Sequence, residues 1–514
     1  MVTADRHEMK ENSTHMPDML SISRKKNHMS LKLGLSVVGA VLGSFQFGFN
    51  TGVINAPEES IKEFLNETEY HRTSHHMSKE KTTNLFAVIV SMFAAGGCLG
   101  GILAGWWAEK FGRKMGLMLN VVPGIIGAVL MYFSVLAESY EMIIVGRLII
   151  GFNCGLYTGL TPLYLSEIST PSIRGALGVL HQLGVTFGIL VSQILGFPEV
   201  LGNADLWNLL LGLAIFPCLF QLVVLPFCPE SPRYLLISKN KEAEAKLALV
   251  AIRGTSDVDE DLDEMKQESR AQSQEEKVTI LKLFTSQSYR RPLIISMVMQ
   301  LSQQLSGING VFYYSANLFK SAGLSPSTAT HATSGVGGVM VVMTFVTIFL
   351  MDRAGRRTLH LVGLGGMFIF SILMTLTLSL SDKVDWFTGG SIAVSLLYVV
   401  FFAVGPGSVP WLIVAELFSQ GPRSAAMSVS VLVNWIANFL VGFSFPHLKD
   451  GINDFTFLPF TGLLLFFWIF TFIYVPETKN KTFEEVGAML KSNGVGAKKQ
   501  ADNEESHLNF IFSS

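Results

Sequence analysis

The sequence predicts an all-α membrane protein in which twelve transmembrane helices form two six-helix halves of the same orientation. Of its 514 residues, 49% are hydrophobic and only 15% are charged, and the mean hydropathy is +0.41. This composition is far from that of a soluble domain. Most of the twelve apolar stretches have the ~20 residues that a helix needs to cross a bilayer. The net charge of -2 gives no reason to expect a nucleic-acid partner.

The apolar stretches can be placed to within a few residues. The predicted spans are 33–57, 84–107, 115–137, 142–166, 175–198, 206–226, 292–319, 332–351, 358–381, 386–414, 424–446 and 455–475. The implied domains are a cytoplasmic N-terminal extension (1–30), an N-terminal half (31–228), a cytoplasmic linker (229–291), a C-terminal half (292–476) and a cytoplasmic tail (477–514). A solvated linker explains the many charges of residues 229–291, and a short helical latch beneath the bundle is the alternative.

An internal repeat relates the two halves. Three short motifs recur at offsets of 243, 249 and 247 residues: Phe111-Gly112-Arg113-Lys114 as Ala354-Gly355-Arg356-Arg357, Glu167 with Arg174 as Glu416 with Arg423, and Pro229-Glu230 as Pro476-Glu477. Nearly equal offsets predict a parallel repeat, with a substrate site between the halves.

The basic residues predict the orientation in the membrane. They concentrate in alternate loops and after the last span: Lys110, Arg113, Lys114, Arg174, Arg353, Arg356, Arg357, Lys479 and Lys481. The positive-inside rule then places both termini in the cytoplasm. The tripeptide Asn66-Glu67-Thr68 falls in the first extracellular loop, where Asn66 is a candidate for glycosylation.

Amides inside the seventh span carry most of the functional information. Gln300, Gln303 and Gln304 are three and four residues apart and therefore share one helical face. Gly307 and Gly310 follow and weaken the helix. Because polar side chains are costly in hydrocarbon, they usually face a cavity or pair across helices.

Other spans add polar and aromatic residues: Gln182 in the fifth, Trp411 in the tenth, and Asn434 and Asn438 on one face of the eleventh. A lone amide is more often a link between helices than a ligand. Many amides with almost no charge favour a neutral polyhydroxylated solute, because amides both donate and accept hydrogen bonds, as sugar hydroxyls do.

On these residues the chain resembles the sugar porters of the major facilitator superfamily, and specifically the animal facilitative glucose transporters of the class that carries aldohexoses. The similarity covers roughly residues 32–485 and rests on six motifs: FGFNTGVINAP (47–57), RGALG (174–178), PESPR (229–233), QLSQQLSGING (300–310), VAELFSQGPR (414–423) and PETK (476–479). The resemblance implies a plasma-membrane transporter of D-glucose with the major facilitator fold.

The resemblance also assigns sugar contacts to six residues: Gln182, Gln303, Gln304, Asn309, Trp411 and Asn434. Gln300-Leu301-Ser302 matches the family's signature of glucose-type rather than fructose-type selectivity. Two positions depart from the family, which commonly has an asparagine at Met340 and a glutamate at Ala403. Two usual sugar contacts are therefore missing, which leaves the affinity and the exact sugar preference open.

Downhill transport is the preferred mechanism. Similar proton-coupled porters carry an aspartate in the first span where this chain has Asn50, and an amide cannot exchange a proton. Arg147 is the one formal charge inside a predicted span, and we interpret it as a residue near the outer helix end that snorkels to the interface.

The repeated charges near the cytoplasm form a candidate gate: Arg113, Glu167, Arg174, Arg356, Arg357, Glu416 and Arg423. Orientation explains part of the positive charge, but acidic residues contribute little to it. Our hypothesis is that the carboxylates bind the arginines of their own half and latch the cytoplasmic side closed while the site faces outward.

Two other functions compete with facilitated transport. A proton-coupled or organic-ion porter would need a titratable or charged cavity, and a sugar sensor usually carries a long cytoplasmic tail. An enzyme is not expected, since the sequence has no nucleophile-base set, Walker A loop or metal-ligand cluster. We therefore expect no cofactor and no metal. The expected partners are a hexose and the lipid bilayer, and the oligomeric state is left open.

Overall fold

The chain forms a bundle of membrane-crossing helices. The computed structural model describes residues 30–170, 173–274, 278–380, 386–479, 481 and 483–492. Ten helical segments in this part of the chain are long and apolar enough to cross a membrane. The predicted seventh span is split into two helices, and the twelfth is a 17-residue apolar helix. Together they confirm the twelve predicted spans.

The first half contains its six spans and a short outer helix, Glu58–Thr73. The spans are Leu31–Gly52, Lys79–Phe111, Arg113–Phe133, Tyr140–Ile168, Arg174–Leu195, and the pair Trp207–Gly212 with Ile215–Val224. The second half contains Gln287–Gln304 with Ile308–Ser321, Pro326–Arg353, Arg356–Leu380, Trp386–Val404 with Val409–Leu417, Gln420–Ile452, and Leu458–Tyr474.

The linker and the ends of the described chain, at Ser30 and Ser492, lie at one end of the bundle, which we call the inner face; the opposite end is the outer face. The linker contains the helices Tyr234–Ser238, Glu242–Arg253, Asp259–Gln274 and Ile280–Thr285, and a further helix follows the last span at Phe483–Ser492. The hydroxyl of Ser30 donates to the carbonyls of Ala251 and Ile252, at 2.9 and 2.6 Å. The linker is therefore helical and docked beneath the first span.

Serines define where several helices begin. The hydroxyls of Ser30 and Ser78 accept hydrogen bonds from the backbone N–H groups of Leu33 and Lys81, at 3.0 and 3.2 Å. Each satisfies an N–H group that has no partner inside its helix.

The seventh span breaks at Gly307, as its glycines predicted. Gly307 has a φ of +89°, and a Cβ atom there would lie 2.8 Å from the ring of Phe460. Only glycine fits this left-handed conformation and this close approach. The break separates Gln304, at the end of one helix, from Asn309, in the first turn of the next.

The two halves meet along two pairs of spans. In the first pair, a Cβ atom at Gly97 of the second span would lie 2.4–2.6 Å from three indole atoms of Trp435 in the eleventh. In the second pair, the backbone N–H of Gly337 in the eighth span donates to Gln193 in the fifth, at 3.0 Å. Small residues permit this approach, which leaves the polar faces of the seventh and eleventh spans in the interior.

Candidate functional site

Amides of the seventh and eleventh spans form one buried network. Asn434 donates to the side-chain oxygens of Gln300 and Gln303, at 2.8 and 2.7 Å, and accepts from Gln304 at 3.0 Å. Asn309 donates to the side-chain oxygen of Gln304. All five side chains are buried. The prediction that the three glutamines share one face is confirmed, since all three contact Asn434.

Gln303 is the most connected member of this amide network (Gln300, Gln303, Gln304, Asn309 and Asn434). Its amide nitrogen donates to the carbonyl oxygens of Pro406 and Gly407, both at 2.8 Å. Its oxygen accepts from Gln304 and Asn434. These carbonyls are accessible because the tenth span is broken between Val404 and Val409. The seventh, tenth and eleventh spans therefore converge on one side chain.

The two remaining predicted sugar contacts, Trp411 and Gln182, have no described hydrogen bond to this network. Trp411 is half-buried, one turn beyond Gly407. Gln182 is half-buried in the opposite half, one turn before Thr186, whose hydroxyl lies 3.3 Å from that of Thr344. The six predicted contacts thus come from both halves, but the five-amide network belongs to the second half alone.

The two positions that depart from the family are buried and apolar. Met340 and Ala403 are 5% and 6% exposed. Ala403 lies one turn before Gly407, and its carbonyl accepts from Thr347 at 3.1 Å. Met340 lies one turn before Thr344. At both positions where the family commonly has a polar side chain, this chain therefore has a buried apolar one.

The interpretation of Arg147 as an interfacial side chain is wrong. Arg147 is fully buried, and its guanidinium donates to the backbone carbonyl of Asn50 at 3.0 Å. The guanidinium carbon also lies 4.6 Å from the centre of the Phe93 ring. Its Nε and second terminal nitrogen have no hydrogen-bond partner among the described residues. A cation-π contact and a backbone carbonyl therefore stabilise this buried charge in place of a carboxylate.

The predicted gate residues of the first half form a compact inner cluster. Arg113 donates twice to Glu167, at 2.8 and 2.7 Å, and Ser231 donates to the same carboxylate at 2.5 Å. Glu230 accepts from the backbone N–H groups of Arg113 and Lys114, both at 2.9 Å. We call Arg113, Glu167 and Glu230 the first inner cluster. It ties together the third and fourth spans and the start of the linker.

The second half repeats this arrangement. Arg356 donates to Glu416 at 3.1 Å, and Thr478 donates to the same carboxylate at 2.5 Å. Glu477 accepts from the backbone N–H of Arg356 at 2.8 Å. Arg356, Glu416 and Glu477 form the second inner cluster. Its ion pair is single and more exposed than the paired bonds of Arg113 and Glu167.

Two other predicted gate residues bind backbone carbonyls. Arg357 donates to the carbonyl of Phe472 at 2.6 Å, and Arg423 donates to that of Phe418 at 3.1 Å. The side chain of Arg174 lies outside the described residues.

Glu230 and Glu477 were missed as site residues, although their motif repeats at nearly the same offset as the others. Each carboxylate binds the positive end of a helix, which begins at Arg113 or Arg356. Gly112, at a φ of +93°, leaves room for the carboxylate, since a Cβ atom there would lie 2.5 Å from Glu230.

The outer face is closed by contacts between the halves. The side chain of Asn55, at the end of the first span, donates to the carbonyl of Phe312 and the hydroxyl of Ser315, at 2.8 and 2.7 Å. Its oxygen accepts from the backbone N–H of Ala316 at 3.1 Å. These bonds join the two halves at the outer face.

Glu58 adds a charged contact to this outer closure. Its carboxylate accepts from Lys62 at 2.5 Å and from Asn317 of the second half at 3.1 Å. Burial raises the pKa of the Glu58 carboxyl above its ordinary value, while the neighbouring Lys62 opposes this shift. The second part of the seventh span is thus attached to the first half by both Asn55 and Glu58.

The chain is similar to known transporters over most of its length. Residues 36–490 match the family model "Sugar (and other) transporter". Facilitated glucose transporter member 3 of solute carrier family 2 from Canis lupus familiaris is 49% identical over 473 residues, which are 92% of this chain and 95% of that protein. Member 1 from Gallus gallus is 47% identical over 476 residues, or 93% and 97% of the two chains.

Solved structures show the same fold. The xylose transporter XylE from E. coli, in a partially occluded inward open conformation, is 25% identical and matches with a TM-score of 0.75 over 88% of this chain and 99% of that chain. The proton:xylose symporter XylE bound to 6-bromo-6-deoxy-D-glucose is 26% identical, with a TM-score of 0.72 over 89% and 99%. The fold is that of the major facilitator superfamily, and the chain belongs to its sugar transporter family.

Proposed function

We propose that this chain is a facilitative uniporter that moves hexose, with D-glucose as the preferred substrate, down its gradient across the plasma membrane by alternating access. The observation that carries this proposal is the buried amide network between the seventh and eleventh spans. The names of the relatives from Canis lupus familiaris and Gallus gallus support glucose as the substrate.

Sugar binding is an exchange of hydrogen bonds at this network. Each amide already has partners, so a sugar hydroxyl gains little unless it replaces an amide-amide bond with an equivalent one. A ring with several hydroxyls can do this at several amides, because each hydroxyl donates one bond and accepts others. Gln182 belongs to the first half. Its contact with the sugar therefore forms or breaks as the two halves move relative to each other.

Uniport follows from the groups around Asn50. Its amide donates to the carbonyl of Gln46 at 2.9 Å, and its own carbonyl binds Arg147. Neither bond involves a group that gains or loses a proton near neutral pH. A proton-coupled porter is the second candidate, since one solved relative is a proton symporter.

The substrate is tested by tracer uptake into proteoliposomes with competing sugars. We expect saturable D-glucose uptake that is blocked by unlabelled D-glucose and not by L-glucose. A clear preference for D-fructose over D-glucose contradicts the assignment.

The inner clusters are proposed to bias the cycle towards the outward-facing state. The inner ion pairs are formed in this structure, in which the outer face is closed. Each ion pair joins two spans of the same half. We propose that each half keeps its ion pair throughout the cycle and that the two halves close the cytoplasmic side as rigid bodies. The latch would then act through the shape of each unit rather than through bonds between them.

Neutralising the second inner cluster tests this role. We expect Glu416→Gln to slow net uptake several-fold and to shift the resting population towards inward-open, while sugar binding persists. Cysteine labelling at the two cavity mouths reports the population. Asp259→Asn is the control, because it removes an ion pair with Lys246 at 2.6 Å in the linker. Unchanged labelling in both Glu416→Gln and Arg356→Gln leaves these charges with a role in topology alone.

A second prediction concerns the two positions that depart from the family. Met340→Asn and Ala403→Glu each restore a hydrogen-bonding group that the family commonly has at a sugar contact, so we expect a lower apparent KM for D-glucose, by about two- to tenfold if one bond is gained. Zero-trans uptake measures the change. Val342→Asn is the control, since that side chain is 61% exposed on the same span. An equal change in the control would show a general effect of polarity.

Both termini are proposed to be cytoplasmic, which places Asn66 outside the cell. Asn66 lies in the outer helix, where its oxygen accepts from the backbone N–H of Met77 at 2.8 Å. We expect a glycan on Asn66, attached before this helix packs, since Thr68 is 3% exposed. Enzymatic deglycosylation should shift the gel mobility of the protein from animal cells, and Asn66→Gln should abolish the shift. The same shift in Asn66→Gln would contradict the assignment.

A further inference from the structure

A short exposed turn of the linker joins the helices Glu242–Arg253 and Asp259–Gln274. Gly254 ends the first helix at a φ of +69°, the left-handed conformation that favours glycine. Residues 255–257 follow and are exposed. Val258 is 1% exposed and packs into the small hydrophobic cluster of the linker, which anchors the turn. The turn is thus presented to solvent at the inner face.

This turn presents a serine hydroxyl, that of Ser256. The Ser256 side chain is exposed and has no described hydrogen bond. The hydroxyl of the neighbouring Thr255, by contrast, accepts from the backbone N–H of Asp257 at 3.2 Å. Ser256 can therefore react with an approaching enzyme without breaking a described contact of the fold.

Carboxylates follow Ser256 closely along the chain. They stand one, three, four and five residues after it, at Asp257, Asp259, Glu260 and Asp261. The side chain of Asp259 is 70% exposed, and Asp257 and Glu260 are exposed as well. Asp259 begins a helix, whose first N–H groups have no partner within the helix, so this end can unwind locally to enter a cleft. The charge pattern after Ser256 therefore complements a basic substrate cleft.

Arg253, three residues before Ser256, would instead complement an acidic cleft. Its guanidinium is already occupied. It donates to the Asp261 carboxylate at 2.8 Å and to the backbone carbonyl of Ile168, at the inner end of the fourth span, at 2.9 Å. The Arg253 side chain is only 17% exposed. The accessible charge beside Ser256 is therefore negative.

We propose that Ser256 is a phosphorylation site for a serine kinase with a basic substrate cleft, and that the phosphate then competes for Arg253. The kinase transfers the γ-phosphoryl group of ATP. The Ser256 oxygen forms a new bond to the γ-phosphorus, and the bond from that phosphorus to the β-phosphate oxygen breaks, so that ADP leaves. The hydroxyl proton passes to a carboxylate of the kinase. Access in the cell rests on the cytoplasmic linker of the proposed topology.

The phosphate is a stronger partner for Arg253 than the backbone of the fourth span. It carries about -1.5 to -2 charges at neutral pH, whereas Ile168 offers a neutral carbonyl. A guanidinium also binds phosphate through two parallel hydrogen bonds. The chain from Arg253 to Ser256 spans at most about 11 Å, a distance that the two side chains can bridge. Phosphorylation therefore detaches Arg253 from Ile168 and loosens the linker.

Phosphorylation of the purified full-length protein in detergent tests the site. One kinase that requires acidic residues after its acceptor is compared with one that requires an arginine three residues before it. We expect the first to phosphorylate Ser256, as located by mass spectrometry, and Ser256→Ala to abolish this product. Asp257→Asn combined with Asp259→Asn should slow the reaction several-fold. Transport is not measured, so the result does not depend on the substrate.

Ser273→Ala is the control for the site, because Ser273 also has carboxylates two and three residues after it, at Glu275 and Glu276. The Ser256 product should persist in this variant. Absence of phosphate on Ser256, or its transfer by the arginine-requiring kinase alone, would overturn the proposal.

Hydrogen exchange tests the competition for Arg253. We expect the amides of Glu242–Arg253 to exchange about two- to fivefold faster after phosphorylation, since single exposed ion pairs contribute modestly. Arg253→Gln should exchange faster without phosphate and gain nothing further from it. Lys266→Gln is the control, because it removes a linker ion pair with Glu242 at 2.7 Å and should keep its response. Unchanged exchange after phosphorylation, or an equal response in Arg253→Gln, contradicts this role of Arg253.

Discussion

Replacing Gln303 with alanine is expected to reduce D-glucose transport more than any other single change in the amide network. Gln303 donates to Pro406 and Gly407 and accepts from Gln304 and Asn434. A buried group that loses its partner costs about 1–3 kcal/mol, which is about 5- to 150-fold in affinity or rate. We place Gln303→Ala at the upper end of that range.

The same reasoning ranks the other contacts. Asn309 has one described side-chain bond within the network, so Asn309→Ala should have a smaller effect than Gln303→Ala. Gln182→Ala should weaken transport from the opposite half. Surface delivery is measured first, and Asn208→Ala is the control, because this amide binds the carbonyl of Tyr132 away from the interface. Normal transport by all three delivered variants would show that the assigned sugar site is wrong.

Asn55→Ala is expected to have the opposite effect on the cycle from that of Glu416→Gln. It removes three hydrogen bonds that attach the second part of the seventh span to the first half. Each such bond contributes about 0.5–1.5 kcal/mol. The resting population should therefore move towards the outward-facing state by about tenfold or more.

An impermeant thiol reagent that labels Leu318→Cys from the outer side measures this shift as a faster reaction, because the Leu318 side chain is 2% exposed and lines the outer interface. Asn203→Ala is a suitable control, since Asn203 lies near the outer face and its amide binds the carbonyl of Pro198 within its own loop. Slower labelling in Asn55→Ala, or equal acceleration in the control, would show that Asn55 does not hold the outer face closed.

Features that follow from chain periodicity could be predicted from the sequence. The equal offsets of the repeated motifs gave the two parallel halves, and the spacing of Gln300, Gln303 and Gln304 gave one face that meets Asn434. The break in the seventh span could be predicted from Gly307, because a left-handed backbone conformation favours glycine.

Contacts made with the backbone could not be predicted in the same way. Arg147 is held by the carbonyl of Asn50 and the ring of Phe93, and neither partner has the charge that a search for ion pairs would recognise. Glu230 and Glu477 bind backbone N–H groups more than 110 residues away in sequence. Their repeat was visible, but their function as helix caps depends on the folded arrangement.

The central claim of downhill hexose transport is tested most directly by the final sugar distribution in proteoliposomes under an imposed pH gradient. We expect D-glucose to reach the same concentration inside and outside, whether or not protons flow inward, because the residue at the first-span position is Asn50 rather than a carboxylate. Accumulation of D-glucose above the external concentration, driven by an inward proton gradient, would contradict uniport.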